Sequence, residues 1–216
     1  MGEEKKRNLK NEIIDYICDA ILNGEYKQKD QIKEIPLSNK LDVSRIPIRE
    51  AFAELVSMGI LQRVERCGVF VKEVTNDDIM DTYQAQGIIE GFLARNFALF
   101  ATQEEMDNLD KLLLKMCDKN NDSKTIGVIG RQFHEYCLKY AKNKILLNDL
   151  EKLNKRSLLM FSKNLDHLYN SLDDIKDEHQ RIIDALKLRD QDNIEKVIKE
   201  HYFNAGRKIV LLNNQF

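Results

Sequence analysis

Both prolines of this 216-residue chain, Pro36 and Pro47, and four of its nine glycines lie before residue 75, and no proline follows. Proline removes a backbone donor and clashes inside a helix, and an interior glycine costs about 1 kcal/mol relative to alanine. The first third must therefore turn often, while the rest is free to run as long helices. This shift predicts two domains, 1–74 and 75–216. Hydrophobic residues make up 43% of the chain, enough for a sizeable core in each.

Within the first third the hydrophobic period changes once. Leu9, Ile13, Ile14, Ile17 and Ile21 recur at helical spacing and Gly24 is a stop signal. A polar stretch, 25–33, follows, then a short helix over 37–41 and a turn at Asp42-Val43. Ser44 is placed as the N-cap of a helix running to Met58, with Ile48, Phe52, Leu55 and Val56 on its apolar face and Gly59 at its end. In this register Pro47 takes the third helical position, where its missing N–H has no intrahelical partner to lose. Residues 60–65 and 69–74 alternate as strands around an Arg66-Cys67-Gly68 turn. Three helices followed by a hairpin is the order of a winged helix-turn-helix.

Beyond residue 75 the spacing predicts five or six helices, over 77–100, 103–117, 124–141, 144–168, 172–188 and 191–213. Thr102 and Glu105 form a capping box, and Asn143 and Asp190 are further caps. No strand pattern appears, so an antiparallel helical bundle is expected, and the whole chain is mainly α. No apolar run approaches the roughly 18 residues that span a bilayer, and the charged start MGEEKKRNLK lacks a secretory apolar segment. A cytoplasmic protein without membrane contact is the expectation. Cys18, Cys67, Cys117 and Cys137 make no C-x-x-C pair, which argues against a zinc ribbon or a disulfide framework. Cys67, in the tight turn, is the thiol expected to be exposed.

Charge does not point to nucleic acid. The net charge is -2, and residues 1–74 hold 13 Lys+Arg against 13 Asp+Glu. Local arrangement does. Arg45 and Arg49 stand at i and i+4 on the N-terminal half of the second helix of the helix-turn-helix, the end that enters the major groove. Cations are disfavoured beside the positive end of a helix dipole, so two there imply an anion outside. A guanidinium fork can bond guanine or clasp a phosphate. The Ser44 hydroxyl can bond a phosphate or cap the helix, and Gly68 lets the hairpin backbone approach DNA closely.

The stretch LSNKLDVSRIPIREAFAELVSMGILQRVERCGVFV resembles the DNA-binding domain of the GntR family of bacterial regulators, over residues 8 to 74. The resemblance implies that Ser44, Arg45, Arg49 and Gly68 contact double-stranded operator DNA. Ile46 departs from the threonine common at that position.

Of the four histidines, His134, His179 and His201 fall on separate predicted helices near apolar faces, whereas His167 is expected on the surface. Three imidazoles from different helices can converge, and neutral imidazole ligates zinc or nickel. The stretches FHEYCLKYAKN, EHQRIIDALKLRDQDNIEKVIKEH and GIIEGFLARNFA resemble the FCD effector domain of the FadR subfamily. That resemblance implies a homodimer and a small carboxylate effector. It also implies a divalent metal held by an aspartate and three histidines, matched here by His134, His179 and His201. Gly130 stands at the aspartate position, so weakened metal binding is expected, and Gln86 stands where many members have arginine. The expected function is a ligand-responsive DNA-binding regulator, not an enzyme. The alternatives are a metal-sensing regulator and a helical metallohydrolase. The latter lacks a carboxylate placed as a general base beside a histidine motif.

Overall fold

Two helices joined by a three-residue turn with one left-handed residue set the geometry of the first part of the chain. In this computed structural model, which describes residues 2–161 and 171–214, the elements begin with α1 (Gly2–Leu22), β1 (Gln31–Ile32), α2 (Glu34–Leu41), α3 (Arg45–Ser57), β2 (Leu61–Val64) and β3 (Gly68–Val71). Asp42 adopts φ 52° and Val43 N–H returns to Ser38 O at 3.1 Å, which stops α2 and starts the turn into α3. Aspartate is among the few non-glycine residues that enter this region readily. Gly59 (φ 71°) then ends α3.

The apolar periods predicted for α1 and α3 bury Ile13, Ile14, Ile17 and Ile21 with Ile48, Phe52 and Leu55 in one core, closed by Leu61, Val69 and Val71 of the hairpin. The sheet has order β1-β3-β2 and is antiparallel throughout, with Val64 opposite Gly68 and Ile32 opposite Val69. Strand β1 lies in the stretch read from sequence as merely polar. It is two residues long, and only Ile32 is buried, so no period could reveal it. Helix α2 likewise starts at Glu34 and not at Leu37, with Pro36 at its third position.

The rest is helical: α4 (Asn76–Phe100), α5 (Gln103–Met116), α6 (Ser123–Cys137), α7 (Lys144–Phe161), α8 (Leu172–Leu188) and α9 (Gln191–Asn213). The fold is thus mainly α, a winged helix-turn-helix followed by a helical domain. The residues up to Thr75, with those of α7 from Lys152 on, form one compact unit. Asn76–Glu151 and the described residues from 171 onward form the other. The Thr102–Glu105 capping box is present in full, and Asp190 and Asn143 accept amide hydrogens at the starts of α9 and α7. Helix α6 stops at Cys137, four residues before the expected end. There Lys139 and Tyr140 turn aside to bond the buried Glu105 carboxylate. The expected continuation of the 144 helix to 168 lies outside the described residues, as does His167.

Helices α4 and α9 run antiparallel along their whole length, from Asn76–Asn214 (3.1 Å) to Arg95–Glu195 (3.1 Å). They approach so closely that a Cβ at Gly91 would lie 3.0 Å from the Glu195 carbonyl oxygen, and one at Gly206 would lie 3.0 Å from Tyr83 Cβ. At Gly130 on α6, by contrast, a Cβ would meet only Met116 Sδ, at an ordinary 3.6 Å. Two substitutions should therefore have opposite signs. Gly91→Val should destabilise the protein by about 1–3 kcal/mol, because backbone cannot yield as a side chain can. Gly130→Ala should stabilise it by up to about 1 kcal/mol through helix propensity. Urea unfolding of both variants beside the parent measures this.

Candidate functional site

Two places gather chemistry. The first is the exposed start of α3. Ser44 occupies the N-cap position with extended backbone (φ -69°, ψ 164°), as the sequence requires, but its hydroxyl makes no capping hydrogen bond. A capping hydroxyl bonds the amide of the second or third helical residue, and Pro47 at the third position removes one of these two donors. The hydroxyl stays exposed. Arg45 and Arg49 project from the same turn, half-exposed, and both bond one oxygen of Glu34. Arg45 Nε and Nη2 reach Glu34 Oε2 at 3.3 and 3.0 Å, and Arg49 Nε at 2.8 Å. Partial burial would raise the Glu34 carboxyl, but these bonds outweigh it and hold the group below the usual carboxylate range. At the hairpin, Gly68 takes φ 118°, where a side chain would be strained, and a Cβ there would stand 2.7 Å from Gln31 Nε2 and push that side chain aside. Gln31 Nε2 donates to Cys67 O at 2.7 Å, tying the tip to β1. Cys67 is exposed.

The second place lies inside the helical domain. His134 of α6, His179 of α8 and His201 of α9 come together, each offering a ring nitrogen within 4.8 Å of the others. Ring centroids are 5.5 Å apart for His134–His179, 5.1 Å for His134–His201 and 4.8 Å for His179–His201. The Nδ1 atoms of His134 and His179 are each engaged by an acceptor. His179 Nδ1 lies 2.8 Å from Ile175 O, and a carbonyl oxygen only accepts, so Nδ1 carries the hydrogen. His134 Nδ1 lies 2.5 Å from Glu90 Oε1, and His201 Nδ1 lies 3.3 Å from Glu178 Oε2. For His134 and His179 that leaves Nε2 as the lone pair available to a ligand, an arrangement in which acceptors behind the ring fix tautomer and orientation; His201 Nδ1 has an acidic neighbour but makes no hydrogen bond.

Glu90 of α4 is the residue that sequence reading undervalued. It is 1% exposed and accepts a second bond, from the Tyr202 hydroxyl, at 2.6 Å. Burial pushes its carboxyl up, but the nearness and hydrogen bond of His134 and the Tyr202 hydroxyl reverse this, and the group sits below its ordinary value. A signal was present. Ile79, Tyr83, Gln86, Glu90, Leu93 and Phe97, spaced alternately by four and three, all lie on the buried face of α4, so periodicity alone places an acid indoors. Gly130 supplies no carboxylate, and the negative charge of the site comes from another helix, behind a histidine.

The donor set suits a divalent metal. Metal–nitrogen bonds of about 2.0–2.1 Å need ligand atoms roughly 3.4 Å apart in a tetrahedral site, so nitrogens spread over up to 4.8 Å close on an ion by sub-ångström shifts. Burial is the first cause that lowers both His179 and His201 below the usual imidazole range, with repulsion from neighbouring rings second for His179. Both are therefore neutral near pH 7, as ligation requires.

The two places define a class: a winged helix-turn-helix DNA reader joined to a helical domain with a cluster of three histidines. Residues 9–71 match the model of bacterial regulatory proteins of the gntR family, and residues 81–204 match the FCD domain. The chain belongs to the GntR family of transcription regulators, with an FCD effector-binding domain of the FadR type. The HTH-type transcriptional regulator YdhC of Bacillus subtilis is 27% identical over 186 residues, 84% of this chain and 82% of its own length. The gluconate operon transcriptional repressor of Bacillus licheniformis is 26% identical over 195 residues, 88% of this chain and 80% of its own. The structure of E. coli McbR/YncC shares the fold, with a TM-score of 0.72 at 20% identity over 96% of this chain and 98% of that one. The two relatives are transcriptional regulators, and this protein is a regulator and not an enzyme. No helix among the described residues is long and apolar enough to cross a membrane.

Buried neutral imidazoles leave a trace in stability. As pH falls through about 6.5, imidazoles of the unfolded chain take up protons while His179 and His201, held below 6.5, do not. The unfolded state then binds more protons, so stability is full above that pH and is lost below it. Unfolding free energy of the metal-free protein should fall between pH 7.5 and 5.5, approaching about 1.4 kcal/mol per pH unit for each imidazole that stays neutral. Urea titrations at half-unit pH steps test this, and His179→Asn should flatten the profile.

Proposed function

We propose that the protein is a ligand-responsive regulator of the cytoplasm. Residues 1–74 bind double-stranded operator DNA, and residues 75–216 dimerise and bind a small organic acid. The observation that carries the ligand-binding half is the convergence of His134, His179 and His201, with the Nδ1 of His134 and of His179 already engaged by an acceptor. These three residues would hold a zinc or nickel ion. When bound, such an ion would supply positive charge and open coordination positions for a carboxylate. With Glu90 bonded to His134 and Gly130 at the remaining position, the protein offers three neutral ligands, which favours an acidic effector to complete the shell. The kinship to a gluconate operon repressor supports an acid as the effector class.

In the DNA-reading half, Ser44, Arg45, Arg49 and Gly68 are assigned to the operator. The uncapped Ser44 hydroxyl and the two half-exposed guanidinium groups at the start of α3 support this. Homodimerisation is supported by the exposed apolar stripe Ile88, Phe92 and Leu99 on α4 (56%, 49% and 51% exposed), a pattern that marks association surfaces. A dimer also reads two half-sites, as tight binding by this motif requires.

Chelator-treated protein should gain thermal stability on addition of zinc or nickel chloride, and His179→Ala should lose that gain. A panel of small carboxylates should then alter operator affinity. Release of the operator by metal alone, with no carboxylate, would instead favour the metal-sensing function. Arg45→Ala and Arg49→Ala should each weaken operator binding by about 1–3 kcal/mol at fixed salt if the contacts are bidentate to a base. Light scattering at tens of micromolar should return the mass of a dimer.

A further inference from the structure

We infer that Glu34 is a specificity-determining residue of the DNA-reading surface, holding Arg45 and Arg49 ready for base edges and opposing contacts to phosphate alone. The inference rests on the assignment of α3 as the recognition helix. Glu34 opens α2, and its Oε2 accepts all three hydrogen bonds from the two arginines, at 3.3, 3.0 and 2.8 Å. Its side chain is 26% exposed, while those of the arginines are 51% and 55% exposed. Ion pairs this open contribute little to stability, so the trio is not explained as a staple of the fold. Its effect is on where the guanidinium groups point.

The geometry leaves both arginines competent to bond DNA. Arg49 is engaged through Nε only, so both of its terminal amino groups remain outward. Arg45 is engaged through Nε and Nη2 and keeps Nη1 and one hydrogen of Nη2. A guanidinium carries five N–H donors, and a guanine edge needs two of them side by side. The carboxylate thus occupies the inner edge of each group and leaves an outer fork. It also changes the electrostatics. The trio carries a charge of +1 where two unpaired arginines would carry +2. A nearby phosphate is repelled by the carboxylate, whereas guanine O6 and N7 are neutral acceptors. Glu34 therefore costs non-specific binding more than specific binding. The balanced charge of residues 1–74, 13 of each sign, acts in the same direction.

The experiment uses the full-length protein. A duplex is selected from a random library by the parent protein, and a scrambled duplex of equal length serves as the non-specific probe. Dissociation constants for both are measured against KCl concentration for the parent, Glu34→Gln, Glu34→Asp, Arg45→Ala and Arg49→Ala. Glu34→Gln adds one net positive charge to the footprint, so it should bind the scrambled duplex more tightly and steepen the salt dependence by about 0.9 in log–log slope. The ratio of specific to non-specific affinity should fall roughly two- to tenfold, the effect of ordering one or two long side chains on binding. Glu34→Asp keeps the charge and the helix start but reaches less far, and should fall between the two. An unchanged ratio and slope in Glu34→Gln overturns the inference. So does a gain in specific affinity with the ratio kept, which would make Glu34 a block. If Arg45→Ala and Arg49→Ala bind the selected duplex like the parent, or no duplex enriches, the recognition-helix assignment itself has failed.

Discussion

A carboxylate buried as deeply as Glu90 can remain charged only if its surroundings take over the work of water. Here His134 and Tyr202 do so, one for each oxygen, and they belong to different helices. Meeting the needs of one oxygen pair therefore fixes the relation of α4, α6 and α9. The same contacts orient the His134 ring, leaving its outer nitrogen turned toward His179 and His201. Removing Tyr202 or His134 would leave a buried charge short of a partner, an error far more expensive than the loss of a surface pair. The polar pocket and the packing of the bundle are one arrangement seen from two sides.

That arrangement depends on how near α4 and α9 come. Side chains on the contact face of α4 are absent at Gly87 and Gly91, and α9 answers with Gly206. With backbones this close, short reaches suffice for Tyr202 to find Glu90 and for His201 to enter the pocket. Fasteners at the edges hold the approach: Arg189 donates to the carbonyl of Ala101 at 2.9 Å at the end of α4, and Arg95 bonds Glu195. The metal-ready face thus comes from residues that ligate nothing.

Much of this was legible from the chain. Helical periods located the cores of α1 and α3, the capping box at Thr102 was spelled out, and the proline register put Ser44 in the right place. The three histidines could be nominated because their neighbours set them on apolar faces. What could not be read has physical reasons. Strand β1 is too short to have a period and exists because β3 offers it an edge. The idle Ser44 hydroxyl was not foreseen either: Pro47, whose placement was recognised, takes away one of the two amides it could have capped. Glu34 and Glu90 owe their roles to partners 11 to 112 residues away, a distance at which sequence spacing says nothing about contact.

The bond from Gln31 to Cys67 has a bearing beyond the hairpin itself. It ties the tip of the wing to the strand that leads directly into α2, and α2 is locked to α3 by the turn at Asp42. The tip and the start of α3 are thus two jaws of a single caliper with a set opening. On the assignment of these elements to DNA, such a gauge accepts a duplex whose groove dimensions suit it and strains one whose dimensions do not. Sequences that narrow or stiffen the helix between the contacted bases would then be weighed without being touched.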